Sequence, residues 1–180
     1  MGARVWLGMD LPEPVLLDRT DQPYLGIRRT VTMRTIAEVA DCIPTLIGAL
    51  AQRGSAVPGP PFLRYHVIDM ANQLEVEAGV PLAAPWSEAA APPGGALPGA
   101  LPAGRYASTT HIGAPDGLAG ATAGLLRWAE GRGLRLDLNT AGPVSHWGCR
   151  LEVFRTDPRA VPDSSQWQTD LLIRLADGPG

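Results

Sequence analysis

Lysine is missing from this 180-residue chain, and all 15 of its basic side chains are arginine. That absence excludes Schiff-base chemistry, a phosphate-loop lysine and a lysine general base. Cysteine is scarce. Cys42 and Cys149 have neither metal nor redox spacing, so free thiols in a reducing cytoplasm are expected. A net charge of -3 gives no basic field to draw in a phosphate backbone, and no nucleic-acid partner is expected. No apolar run approaches the roughly 18 residues that a membrane-spanning helix needs. The opening stretch Met1–Asp10 reaches an acid too early for a secretory signal. The expectation is therefore a cytoplasmic protein with no membrane partner. There is no nucleophile elbow, metal-ligand cluster or phosphate loop, so neither metal nor cofactor is expected.

What is present is an ordinary globular balance, 45% hydrophobic and 18% charged, enough for one domain or two small lobes sharing a core. The aromatic residues are unusual, because five of them are tryptophan: Trp6, Trp86, Trp128, Trp147 and Trp167. Tryptophan offers the largest stacking surface and the best cation–π face.

The chain reads as two copies of one pattern. Arg64-Tyr65-His66-Val67-Ile68-Asp69 followed by Gln73–Leu82 matches Arg150-Leu151-Glu152-Val153-Phe154-Arg155 followed by Gln166–Leu175. Upstream, Leu46–Gly54 aligns with Leu125–Gly133. Each copy reads strand–helix–strand–strand. In the first copy the strands are Tyr24–Met33, Phe62–Asp69 and Leu74–Leu82. Its helix restarts at Pro44 and stops at Gly54. In the second copy the strands are Arg105–Ile112, Trp147–Thr156 and Trp167–Leu175. Its helix is capped by Asp116 and ended by Gly131 or Gly133. Residues 1–21 read as an extension with one short strand. Residues 83–104, rich in Ala, Pro and Gly, read as a linker in which Trp86 packs on the surface. The expected organisation is a single domain over 1–180, with module one at about 22–82 and module two at about 105–176.

Several features of the second copy resemble the GyrI-like small-molecule-binding domain. These are the strand Tyr106–Gly113, the helix segment Leu125-Leu126-Arg127-Trp128, the acid-x-aromatic pair Glu152 and Phe154, and the last strand Trp167-Gln168-Thr169-Asp170. The resemblance runs from about Tyr24 to Leu175. It implies an α+β fold of two βαββ modules related by a pseudo-two-fold axis, with an antiparallel sheet and a central inter-module cleft. It also implies a stand-alone form of the effector-binding domain found in multidrug-sensing regulators.

Strand alternation puts Arg150, Glu152 and Phe154 on one face and Leu151 and Val153 on the other, the latter pair expected against the helices. By the repeat, His66 takes the position of Glu152 and is expected opposite it across the cleft. The resemblance implies that Glu152 is a carboxylate at the base of an aromatic pocket. The candidate ligand-binding residues are Glu152, Trp147, Trp167, Phe154, Tyr65, His66 and Tyr106. The favoured function is broad-specificity binding of lipophilic, aromatic, often cationic molecules. The alternatives are a hydrolase that opens cyclopropane rings of DNA-alkylating natural products, with Glu152 as the catalytic residue positioning water, and a regulator that docks onto a protein partner.

Overall fold

The computed structural model describes residues 12–87 and 89–178; Trp6 and the stretch Met1–Asp10 lie outside them. In chain order the elements are β1 (Val15–Arg19), β2 (Gln22–Val31), α1 (Ala37–Ala40), α2 (Cys42–Gln52), β3 (Phe62–Ile68), β4 (Leu74–Pro81), β5 (Leu97–Leu101), β6 (Gly104–Ile112), α3 (Leu118–Gly131), β7 (Leu138–Ala141), β8 (Val144–Phe154) and β9 (Gln168–Arg174). The strands form one sheet in the order β1-β6-β9-β8-β3-β4-β2-β5, with β7 paired to β8. Every pairing is antiparallel. The order is mirrored about the central β3–β8 pair, with β4 and β2 on one side and β9 and β6 on the other.

Local chemistry explains the helix limits. A turn at Asp41 separates α1 from α2, and Pro44 lies in the first turn of α2, where its missing N–H costs nothing. Gly54 and Gly133 follow α2 and α3 in the left-handed region, with φ of 67° and 66°. Asp116 does not cap α3. It lies in a 3₁₀ turn, and the residue at the cap position, Gly117, has no side chain to do so.

The sheet is apolar on both faces, and this shapes the molecule. On one face Leu63, Tyr65, Val76, Ala78, Leu171 and Ile173 meet Val39, Ile43, Leu118 and Leu125 from the helices. On the other, Tyr24, Phe62, Leu101, Tyr106, Cys149, Leu151 and Leu172 form a second core. Leu101 of β5 and Tyr106 of β6 stand near opposite ends of the strand order, so one cluster can hold both only if the sheet curls into a half-barrel. The result is an α+β fold with a curled antiparallel sheet and two substantial helices.

Three expectations change here. Leu151 and Val153 do not face the helices but join the second core inside the curl. The stretch read as a linker contains β5, which pairs with β2 along Leu97–Leu101. The loop before β8 contains β7, which closes a hairpin onto β8. Trp86 packs at the margin of a third cluster around Leu46, Leu50 and Val80, where Arg53 lies 5.7 Å from its ring centroid.

Close packing inside the curl is set by Gly79 on β4, opposite Phe62 on β3. A Cβ at this position would overlap the Phe62 ring. Gly79→Ala is expected to destabilise the fold by about 1–3 kcal/mol through overpacking. Thermal denaturation measures this, and Phe62→Leu in the same chain is expected to recover part of the loss.

Candidate functional site

Two polar constellations lie on opposite faces of the sheet, and the sequence had merged them. On the helix-covered face the central strands bring together Tyr65 of β3 with Trp147, Arg150, Glu152 and Phe154 of β8. Tyr65 pairs with Arg150, and Leu63 with Glu152. A bulge then shifts the register, so that Val67 pairs with His146. The shift brings Trp147 to the same side as Arg150, three positions away, where simple alternation would put them on opposite faces. Gly148 occupies the bulge, and a Cβ there would run into the Asp137 carboxylate.

The Arg150 guanidinium lies 5.2 Å from the centroid of Tyr65 and 4.9 Å from that of Trp147. Both rings are buried, and the indole N–H of Trp147 has no hydrogen-bond partner. Glu152 is partly buried and, among the described residues, forms no ion pair with Arg64 or Arg150. Burial raises its pKa above the ordinary carboxylate value, against the opposing influence of Tyr65, Arg150 and His111. Burial likewise raises the Tyr65 pKa, keeping it a neutral phenol. His111 itself is fixed as structure: its ring lies 2.9 Å from the Ala114 carbonyl oxygen and against Gly117.

The opposite face carries a closed network around Glu77, a residue the sequence reading missed. Tyr24 donates its hydroxyl to the Glu77 carboxylate at 2.9 Å, and the His66 Nε2 lies 2.7 Å from the same oxygen. Arg64 donates to the Tyr24 hydroxyl at 3.1 Å and to the Gly148 carbonyl at 2.9 Å. Arg28 completes the network 3.9 Å from Glu77. Burial opposes ionisation of Glu77, but hydrogen bonds from His66 and Tyr24, with the charges of His66 and Arg28, hold its pKa below the usual value. Burial and the Glu77 charge push Tyr24 up to about 12. The only signal in the sequence was that Glu77, the second of two acids in Leu74–Pro81, directly precedes the apolar run Ala78–Pro81.

His66 therefore does not face Glu152. The repeat alignment is one residue out of phase: the helix-facing positions are Leu63 and Tyr65 in β3 against Arg150 and Glu152 in β8. A one-residue slip moves a side chain through the sheet. Tyr106 is also on the far side, where its hydroxyl donates to the Pro102 carbonyl at 2.6 Å. Trp167 lies just before β9, and its indole donates to the Val161 carbonyl at 2.7 Å. Phe154 packs partly buried against the helix-side core. Two cavities, of about 100 and 420 Å³, open on the curled side, and neither is lined by Glu152. Among the described residues no group of three or more His, Cys, Asp or Glu could hold a metal, and no helix is long and apolar enough to cross a membrane.

The family model of the GyrI-like small molecule binding domain matches residues 12–176. The chain belongs to this family. Among solved structures, the GyrI-like chain is similar to the EcmrR C-terminal domain, at 17% identity and TM-score 0.71, covering 93% of this chain and 99% of that one. The same similarity extends to EcmrR in complex with DNA, where the match covers 59% of the EcmrR chain. A structure of SAV2435 bound to tetraphenylphosphonium aligns at 11% identity and TM-score 0.62, covering 91% and 94% of the two chains. A hydrolase from Listeria innocua aligns at 12% identity and TM-score 0.56, covering 92% and 93%. No match was found among curated proteins.

The two carboxylates should respond oppositely to substitution. The lowered pKa of Glu77 contributes stability above its unfolded pKa, which is lost as pH falls through the folded value below the ordinary carboxylate range. The raised pKa of Glu152 contributes only at acid pH, and that contribution is lost as pH rises through the folded value. At neutral pH, Glu77→Gln is expected to cost about 2 kcal/mol through its charged hydrogen bonds, while Glu152→Gln is neutral or stabilising. Thermal melts of both variants across pH decide this.

Proposed function

We propose that the groove over the central β3–β8 pair binds flat, lipophilic, often cationic aromatic molecules with broad specificity. The observation that carries this is Glu152, a partly buried carboxylate with a raised pKa and no ion pair among the described residues. A carboxylate whose ionisation burial opposes, with no ion pair and only the Tyr65 phenol beside it, is costly to keep charged, and a ligand cation offsets that cost. Tyr65, Trp147 and Phe154 provide apolar and π surface beside it. Aromatic walls discriminate weakly by shape, which suits a multidrug sink better than an enzyme with one substrate. Membership of a small-molecule-binding family supports ligand binding, and the tetraphenylphosphonium complex of SAV2435 shows a lipophilic cation held by a related fold. α2 packs on β4 and α3 on β6, leaving β3 and β8 as the floor between them. His66, Tyr106 and Trp167 are left out of this groove.

A second reading keeps the same residues. The Tyr65 phenol beside Glu152 offers an acid and a base for a hydrolase that opens strained cyclopropane rings, Glu152 orienting or deprotonating water. Turnover of such a substrate, abolished in both Glu152→Gln and Tyr65→Phe, would select it.

The binding reading is tested by titrating rhodamine 6G, a permanent cation, while following dye anisotropy and tryptophan quenching. Saturable binding is expected, weakened at least tenfold in Glu152→Gln, about 1.4 kcal/mol. Affinity should rise with pH as Glu152 ionises above the ordinary carboxylate range. Equal affinity in the wild-type protein and Glu152→Gln sinks the charge-pairing mechanism.

A further inference from the structure

Beside Glu152 the same strand face carries a cation without a protein acceptor. Arg150 has both ring neighbours within cation–π range, yet among the described residues it forms no salt bridge and no hydrogen bond with a protein acceptor. Stacking covers the faces of a guanidinium and leaves its N–H donors, which lie in the plane, pointing outward. Such a fork matches a carboxylate in bidentate geometry. Cation–π contacts offset part of the cost of burying it, but they do not satisfy the N–H groups. The Trp147 indole N–H beside it is also buried and unpartnered. Two donors without a protein acceptor, on Arg150 and Trp147, thus share one patch with the Glu152 carboxylate, whose nearest polar neighbour is the Tyr65 phenol.

Arg150 and Glu152 are next-but-one neighbours on one strand face, so their backbones stand roughly 7 Å apart. They do not neutralise each other directly. A molecule that placed a cationic or donor nitrogen at Glu152 and an acceptor oxygen at Arg150 would satisfy both. A plain lipophilic cation would satisfy only Glu152 and would approach an uncompensated positive charge.

We infer that the groove selects amphoteric aromatic molecules, those carrying a carboxylate or comparable acceptor oxygen as well as a cationic centre, and that Arg150 is the residue that sets this preference. The inference rests on the groove reading above and narrows its ligand class.

The test uses one xanthene dye in two forms, rhodamine 19 as the free acid and rhodamine 6G as its ethyl ester. Anisotropy titrations at neutral pH are expected to give at least fivefold tighter binding of the acid by the wild-type protein. Arg150→Met is expected to abolish that preference while leaving ester binding equal or tighter. Arg150→Lys keeps the charge without the fork and is expected to keep only part of the preference. It also remains informative if Arg150→Met melts at a much lower temperature. Saturable ester binding with no preference for the acid, or a preference that survives in Arg150→Met, overturns this inference and leaves the groove reading standing. Binding of neither dye overturns both.

Discussion

A sheet with two apolar faces and helices on only one of them has to hide the other face from water, and it does so by curling. Apolar burial contributes roughly 25 cal/mol per Å², so leaving Phe62, Tyr106, Leu151 and Leu172 wet would cost more than bending the strands. The curl brings β5 and β6 toward a common interior and leaves the helices as the outer layer on the convex side. Everything polar then takes its character from which side of the sheet it occupies.

The two buried acids show this division. Glu77 is inside the curl, where Tyr24, His66, Arg28 and Arg64 converge and hold it ionised. Gly26 leaves the space its carboxylate needs, since a Cβ there would overlap it. This is a solved electrostatic problem, and a solved problem leaves little binding energy for a ligand. Glu152, under the helices, has no such set of partners, and its environment favours the protonated form. An unsatisfied charge is an odd thing to keep in a fold unless something else completes it. That contrast, more than cavity size, directs attention to the helix side even though both cavities described above open on the other.

Much of the fold could be read from the chain because the strands carry their own signals. The β-branched and aromatic runs around Tyr24, Phe62, Leu74 and Arg105 locate β2, β3, β4 and β6 to within a few residues. Pro44 and Gly54 frame α2 in the same way. The misassigned faces share one cause, which is that periodicity reports alternation but not which face is which. Leu151 and Val153 are core residues, as their chemistry suggests, but of the second core. Two dry faces remove the polar–apolar contrast that would have fixed the direction. The bulge at Gly148, which joins Trp147 to Arg150, depends on β8 meeting β3, a contact far apart in sequence. β5 was hidden because Leu97-Pro98-Gly99-Ala100-Leu101 has poor strand propensity and exists as an edge strand only by pairing with β2.

The lack of lysine now has a structural meaning. An ammonium is a compact, strongly hydrated charge that resists stacking, whereas a guanidinium is flat and loses less on leaving water. Arg19, Arg53, Arg132 and Arg150 each lie within cation–π range of an aromatic ring. Trp86 and Trp128 are half-buried and each meets one arginine, and Tyr106 is buried in the second core with Arg19 near its ring. Arg150 differs because it lies within cation–π range of two buried rings beside an acid that has no ion pair among the described residues. A lysine there would keep the charge but not the flat, weakly hydrated fork. Arginine can be desolvated and stacked while its donors stay open, so under the reading proposed above both the cation and the carboxylate stay available to a ligand.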